Sequence, residues 1–215
     1  MTDLPLDARE RRALCDLLDG LGPGALTLLP GWTAADVAGH LVQRERDPLA
    51  GPCLVLPRPF QRFADRRRAR MLAARTYASL VARLRSGPPP GVFRIGWVRA
   101  GPNLNEFFVH QEDVRRANGL GPREDLTPAL EAGLWRNARG GGRFLSRRLR
   151  GAGLELAWAG TGERATVRRG APVARLSGPP GELLLYVFGR RDAARVELSG
   201  PAAAVAAVRR ARFGM

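Results

Sequence analysis

Apolar and polar positions change their rhythm along the chain. Up to about residue 148 the apolar residues recur mostly at helical spacing, whereas beyond Gly151 they fall into short, partly alternating runs bounded by glycines. In "LDARERRALCDLLDGL", Leu6, Leu14, Leu17 and Leu18 lie close to helical spacing, which predicts a helix from about Leu6 to Leu21, broken by "GPGALTLLPGW". Thr33, followed three residues later by Asp36, has the form of a capping box, so a second helix starts there and ends before Pro48. A proline-rich connection, "DPLAGPCLVLPRP", follows. The stretch from about Phe60 to Arg85 is rich in Ala, Arg and Leu and reads as one long helix closed by "SGPPPG". Next comes "NEFFVHQEDVRRA", with Asn103 placed to cap it, and then a helical pattern from Pro128 to about Arg148 that is interrupted by "RGGGR".

In the last third, "LELAWAG", "ATVRRG", "PVARLSG" and "RVELSG" read as strands. Among them, "PPGELLLYVFGRR" reads as a proline-initiated helix or buried run, and "PAAAVAAVRRAR" as a terminal helix. No internal repeat of useful length is present. The fold class expected is α+β, with an all-helical first domain over residues 1–122 and a smaller α/β domain over residues 123–215.

Composition adds bounds to this picture. A chain of 215 residues with 45% hydrophobic content can bury a core without staples. Its beginning lacks the basic-then-apolar order of a secretory signal, and no apolar run approaches the roughly eighteen residues of a membrane helix, so a cytoplasmic protein without membrane association is expected. Cys15 and Cys53 have no clustered spacing, which favours inert thiols over a disulfide or a zinc knuckle. The net charge of +15 would point to nucleic acid. However, all 35 basic residues are arginine, scattered as pairs and triplets with no aromatic platform beside them. Solvated faces and internal ion pairs are the expected role of these arginines, and nucleic acid is disfavoured as a partner.

Candidate chemistry concentrates on the two histidines of the chain, His40 and His110. Glu106 and His110 are four residues apart and therefore neighbours on one helix face, and Asp113 extends the stripe. Glu112 and Arg116 form a pair on a different face. Two readings stand side by side. In one, Glu106 closes a capping box with Asn103, and His110 is a partly buried histidine with a satisfied hydrogen bond. In the other, Glu106 and His110 are metal ligands on one helix, with His40 on "VAGHL" as a third from a facing helix. Two nitrogens and one carboxylate oxygen leave an open position on a tetrahedral metal, the pattern of catalytic rather than structural zinc.

Together, "LPGWTAADVAGHLVQRERDP" and "NEFFVHQEDVRRANG" resemble the mycothiol-dependent maleylpyruvate isomerase family, within the wider DinB-like metal-binding bundles. In their details the two stretches look more like an uncharacterised metal-binding branch than the isomerase proper. The resemblance rests on Trp32 in the loop before a helix bearing His40 and Leu41, and on Glu106, His110 and Asp113 in a later helix. It implies a DinB-like four-helix bundle followed by a small domain resembling sterol-carrier proteins, with His40, Glu106 and His110 as ligands of a divalent metal, zinc in the first instance. Asp113 matches a recurring position where support of a ligand is the expected role. In the isomerase an arginine of the second domain assists catalysis. "GELLLYVFGRR" is similar to the corresponding run, which makes Arg190 the candidate and Arg191 its alternative.

The implied activity is that of a transferase or isomerase whose metal activates a low-molecular-weight thiol such as mycothiol, the partners being that thiol and a small electrophilic substrate. Isomerisation, conjugation and thiol transfer share this first step. The alternative is a non-catalytic, metal-stabilised module that holds a small ligand, with Leu183 to Phe188 as its apolar wall.

Overall fold

The computed structural model of the protein describes residues 4–51 and 58–214. Cys53 and the middle of the proline-rich connection, residues 52–57, lie outside these residues. The chain divides into two units, Met1–Arg123 and Glu124–Met215. Among the described residues, no helix is long and apolar enough to cross a membrane.

The first unit contains α1 (Leu6–Leu21), α2 (Ala34–Arg46), α3 (Arg58–Ala74), α4 (Tyr77–Arg85), a 3-10 turn (Val92–Arg94), the single turn α5 (Gly96–Val98), a π-helical stretch (Arg99–Asn103) and α6 (Leu104–Ala117). α1 packs on α4 and α6, and α2 on α3, α4 and α6. Their shared interior is built from Leu14, Leu18, Leu41, Leu84, Phe107 and their neighbours, all fully buried. α1 has the bounds that its leucine spacing predicts, and α2 opens with the expected box, the Asp36 carboxylate accepting the Thr33 N–H at 3.1 Å.

Two sequence expectations need correction. The long helix from Phe60 to Arg85 is broken before Thr76, whose hydroxyl oxygen accepts the Ser79 N–H at 3.3 Å and caps α4. The break lets α4 bury Leu80, Val81 and Leu84 against α1 and α2, while the arginine-rich α3 keeps most of its surface in water. Asn103 does not cap α6. Helical backbone already begins at Gly96, and the Asn103 side chain is spent elsewhere, donating to the Phe93 carbonyl at 3.0 Å and accepting from Arg44 at 2.8 Å. The π-helical stretch contains Pro102, which has no N–H to offer a regular α-helical ladder.

Inside this unit lies a buried ion pair. Arg11 of α1 grips Glu45 of α2 with both Nη atoms, at 2.7 and 2.5 Å, donates also to the Leu84 carbonyl at 3.0 Å, and lies over the Phe107 ring at 4.4 Å. Cys15 is buried beside it, and burial pushes its thiol up to about 12, as suits an inert cysteine. Glu112 and Arg116 pair at 2.7 Å, as their spacing predicts.

The second unit contains α7 (Pro128–Leu145), β1 (Gly153–Trp158), β2 (Arg164–Arg168), β3 (Val173–Gly178), α8 (Pro180–Val187), β4 (Glu197–Ser199) and α9 (Ala202–Arg210). The sheet order is β2-β1-β3-β4, with β1 and β3 parallel and both outer pairings antiparallel. Leu154 and Leu156 of β1 and Ala174 and Leu176 of β3 point into the core. On the opposite side Glu155 faces Arg175 in register and accepts its Nε–H at 2.7 Å. α7 packs on α8 and β2. One of its glycines has a packing reason: a Cβ at Gly142 would lie 2.7 Å from Cγ1 of Val167 on β2, whereas one at Gly140 would meet nothing within 4 Å. Leu183, Leu184, Leu185 and Val187 are fully buried, so the apolar run of α8 is the core of this unit rather than a wall for a ligand.

Two stability predictions follow from this packing. Gly142→Ala destabilises by about 1–3 kcal/mol through overpacking, whereas Gly140→Ala, with the same gain in helix propensity and open space, stabilises by about 0.5–1 kcal/mol. Urea unfolding measures both, and shifts of the same sign would refute the Val167 contact as the deciding factor. Glu45→Ala leaves the Arg11 guanidinium buried and unpaired and lowers unfolding free energy by about 3–5 kcal/mol. A loss below about 1 kcal/mol, the range of an exposed pair, would mean that water reaches Arg11.

Candidate metal centre

The site begins with the loop before α2. Leu26 and Thr33 form an antiparallel bridge, the Thr27 hydroxyl accepts the Leu29 N–H at 3.1 Å, and the Asn118 amide donates to the Leu26 carbonyl at 2.9 Å. The Leu28 N–H donates to the Asp113 carbonyl at 3.1 Å, which docks the loop on α6. These bonds hold Trp32 beside the histidines: its ring centroid lies 5.4 Å from that of His40 and 6.4 Å from that of His110, nearly parallel to the latter at 11°. Asp36 fixes the start of α2, and His40 follows it by one turn on the same helix face.

His40, Glu106 and His110 converge. Oε2 of Glu106 lies 3.2 Å from Nε2 of His40 and 3.4 Å from Nε2 of His110, so both rings turn the same nitrogen toward one carboxylate oxygen. On its far side His110 meets the fully buried Asp113, Nδ1 to Oδ2 at 3.0 Å. Side-chain exposures of 13, 14 and 8% for His40, Glu106 and His110 leave a narrow face through which a ligand can reach the site.

The electrostatics follow from burial and these contacts. Burial pushes the His40 imidazole below its ordinary value, against the opposing pull of Glu106, and among the described residues Nδ1 of His40 is buried without a hydrogen-bond partner. A second proton on that ring would therefore be a buried donor with nothing to accept it. Burial also opposes the charged form of His110, but the bonds to Asp113 and Glu106 outweigh it and raise the ring above its ordinary value. For Glu106, burial favours the neutral acid, yet the two imidazoles hold it well below the usual carboxylate range.

One ligand atom from each of the three residues lies within 4.8 Å of the others, a separation that a single cation can bridge. The donor chemistry fits a divalent metal. An ionised carboxylate and a neutral His40 are the ligating forms, and an Nδ1–H of His110 held by Asp113 turns the Nε2 lone pair toward Glu106. Three such donors leave coordination positions open for a further ligand.

A contributor that sequence reading missed is Arg68 of α3. Its guanidinium carbon lies 4.2 Å from the centre of the Trp32 ring, and its nitrogens lie 3.7 Å from Asp36 and 3.3 Å from Asp65. Within "DRRRAR" nothing sets it apart from its neighbours; only the fold brings it to Trp32.

Arg190 belongs to the second unit, where its Nη1 donates to the Phe188 carbonyl at 2.9 Å. The Gly189–Arg190 pair ends α8: Gly189 has φ of 91°, its N–H donates to Tyr186, and the Arg190 N–H donates to Leu185, the two bonds of a Schellman ending. The Arg191 guanidinium is committed to the C-terminal carbonyls of α9, donating to Arg209 at 2.8 Å and Ala211 at 2.9 Å.

In metal-free protein, the two imidazoles are expected to titrate on opposite sides of the ordinary value of about 6.5, His40 below and His110 above. Proton-detected titration of the imidazole signals, assigned with His40→Ala, reads this directly. Both rings titrating together near the ordinary value would refute the burial asymmetry.

No protein-family model and no curated protein matches the sequence. Two solved structures do match: the mycothiol-dependent maleylpyruvate isomerase and a histidine-to-alanine mutant of it. Each shares 17% sequence identity and a TM-score of 0.62, over 94% of this chain and 96% of that one. The chain thus has, over nearly its whole length, the fold seen in those isomerase structures.

Proposed function

We propose that this protein is a metal-dependent, thiol-using isomerase or S-transferase acting in the cytoplasm on a small electrophilic substrate, with zinc at His40, Glu106 and His110 and a mycothiol-type thiol as co-substrate. The observation that carries the reading is the convergence of these three side chains with Asp113 behind His110, on a fold shared with a mycothiol-dependent isomerase. In this reading Met1–Arg123 is a DinB-like bundle that holds the metal, and Glu124–Met215 is a sterol-carrier-like domain.

A zinc ion bound there would supply positive charge that lowers the pKa of a thiol entering the open position. The chain supplies the rest. His40 and His110 offer neutral nitrogens, and Asp113 holds the His110 ring in its ligating orientation. The Trp32 ring, nearly parallel to the His110 ring and in contact with the Arg68 guanidinium, gives the site an apolar wall that limits water. Arg190 is our candidate for the cation that stabilises negative charge developing on the substrate.

Metal analysis of untagged protein, followed by turnover assays, tests the proposal. About one zinc per chain is expected, lost in His40→Ala and in His110→Ala. Asp113→Asn should keep the fold and weaken metal affinity by about 10–100-fold. Loaded protein should isomerise maleylpyruvate or consume another small electrophile only when mycothiol is added. Stoichiometric metal without thiol-dependent turnover would replace the enzyme by a metal-stabilised binding module, and absence of metal after incubation with zinc would remove both.

A further inference from the structure

The first unit carries a second concavity, of about 400 Å³, between α2, α3 and α4. Arg46, Arg67, Arg70, Arg75 and Arg83 line it, and among the described residues Asp47 is the one acid in its lining. That carboxylate is already engaged, by the Nε–H of Arg67 at 2.7 Å and by the backbone N–H groups of Leu49 and Ala50.

The other four cations differ from those arginines of this unit that have a carboxylate partner. Arg11 has Glu45, Arg85 has Asp16 and Asp19, Arg99 has Asp7, and Arg123 has Glu10. Among the described residues, neither Arg46, Arg70, Arg75 nor Arg83 is in an ion pair with a carboxylate. Arg46 is fixed in place instead, its Nη2 donating to the Arg83 carbonyl at 3.1 Å, the Ser86 hydroxyl at 2.9 Å and the Gly87 carbonyl at 2.5 Å. Cations crowded into one concavity repel each other unless an anion sits among them.

From this geometry we infer that the concavity is a binding site for a small, multiply charged oxyanion, a phosphate ester or a polycarboxylate. Guanidinium forks match the paired oxygens of both groups, and the volume lies within the range of small-molecule pockets. The site is separate from the candidate metal centre, with which it shares no residue.

Calorimetric titration with pyrophosphate and, separately, with citrate in about 0.15 M NaCl tests the assignment. Arg70→Gln/Arg75→Gln removes two exposed cations of the concavity that hold no structural bond, and Arg136→Gln/Arg139→Gln on the exposed face of α7 makes the same change of net charge elsewhere. The expected result is saturable binding of at least one probe, weakened about tenfold or more by the first double variant and unchanged by the second. Tighter pyrophosphate assigns the site to phosphate esters, and tighter citrate to polycarboxylates. Three results would overturn the inference: no saturable binding of either probe; equal weakening in both double variants, the mark of net charge alone; or binding that survives Arg70→Gln/Arg75→Gln, as an anion captured at the metal centre would.

Discussion

Arg11 sets the registry on which the first unit depends. A single buried guanidinium holds the Glu45 carboxylate of α2 in a two-pronged contact, takes the Leu84 carbonyl near the end of α4, and covers the Phe107 ring of α6. It thereby ties four helices at one point. Glu45 follows His40 by about one and a half helical turns, and Phe107 follows Glu106 directly. The fork therefore fixes the axial positions of the two helices whose contact brings His40 and Glu106 to 3.2 Å. An apolar side chain could fill the same space with equal or greater stability, but it would not distinguish one helical register from the next as paired donors and acceptors do.

Arginine is the only basic residue of this chain, and the structure sorts its members by surroundings. Arg11, Arg99 and Arg123 of the first unit are matched by acids that offset their charge. Arg191 closes the end of a helix, and Arg175 pairs across two strands. Net charge alone would suggest a uniformly basic surface suited to nucleic acid. The unpaired cations between α2, α3 and α4 instead surround one small concavity, a shape suited to a compact anion rather than to a phosphate backbone.

How much of this is legible in the sequence depends on whether the signal is local. Thr33 with Asp36, the leucines of α1, the glycine-bounded strands and the proline-led α8 are local patterns, and the structure carries all of them. The break between α3 and α4 was not legible, because Thr76 is an ordinary residue inside a helix-forming run until tertiary burial of Leu80 and Leu84 demands a new axis. Asn103 misled for the complementary reason: it has the right identity and place for a cap, but Phe93 and Arg44, 10 and 59 residues before it in the chain, claim its amide. Glu106, His110 and Asp113 could be grouped by helical spacing. Their meeting with His40 was one of two open readings of the residues and was favoured by the resemblance, whereas the place of Arg68 over Trp32 came from neither.

The polar cluster between α2 and α6 makes poor sense as a purely structural device. Two imidazoles share one oxygen of one carboxylate, at 3.2 and 3.4 Å, while Nδ1 of His40 is buried with no partner among the described residues. A cluster serving stability alone would do better either with apolar residues or with every polar group satisfied. The same features are favourable for ligation. Both rings present Nε2 to one point, burial keeps one of them neutral, the carboxylate stays ionised, and Asp113 holds the second ring from behind. The donor atoms thus converge closely enough that one cation could take the place of the His40–Glu106 hydrogen bond.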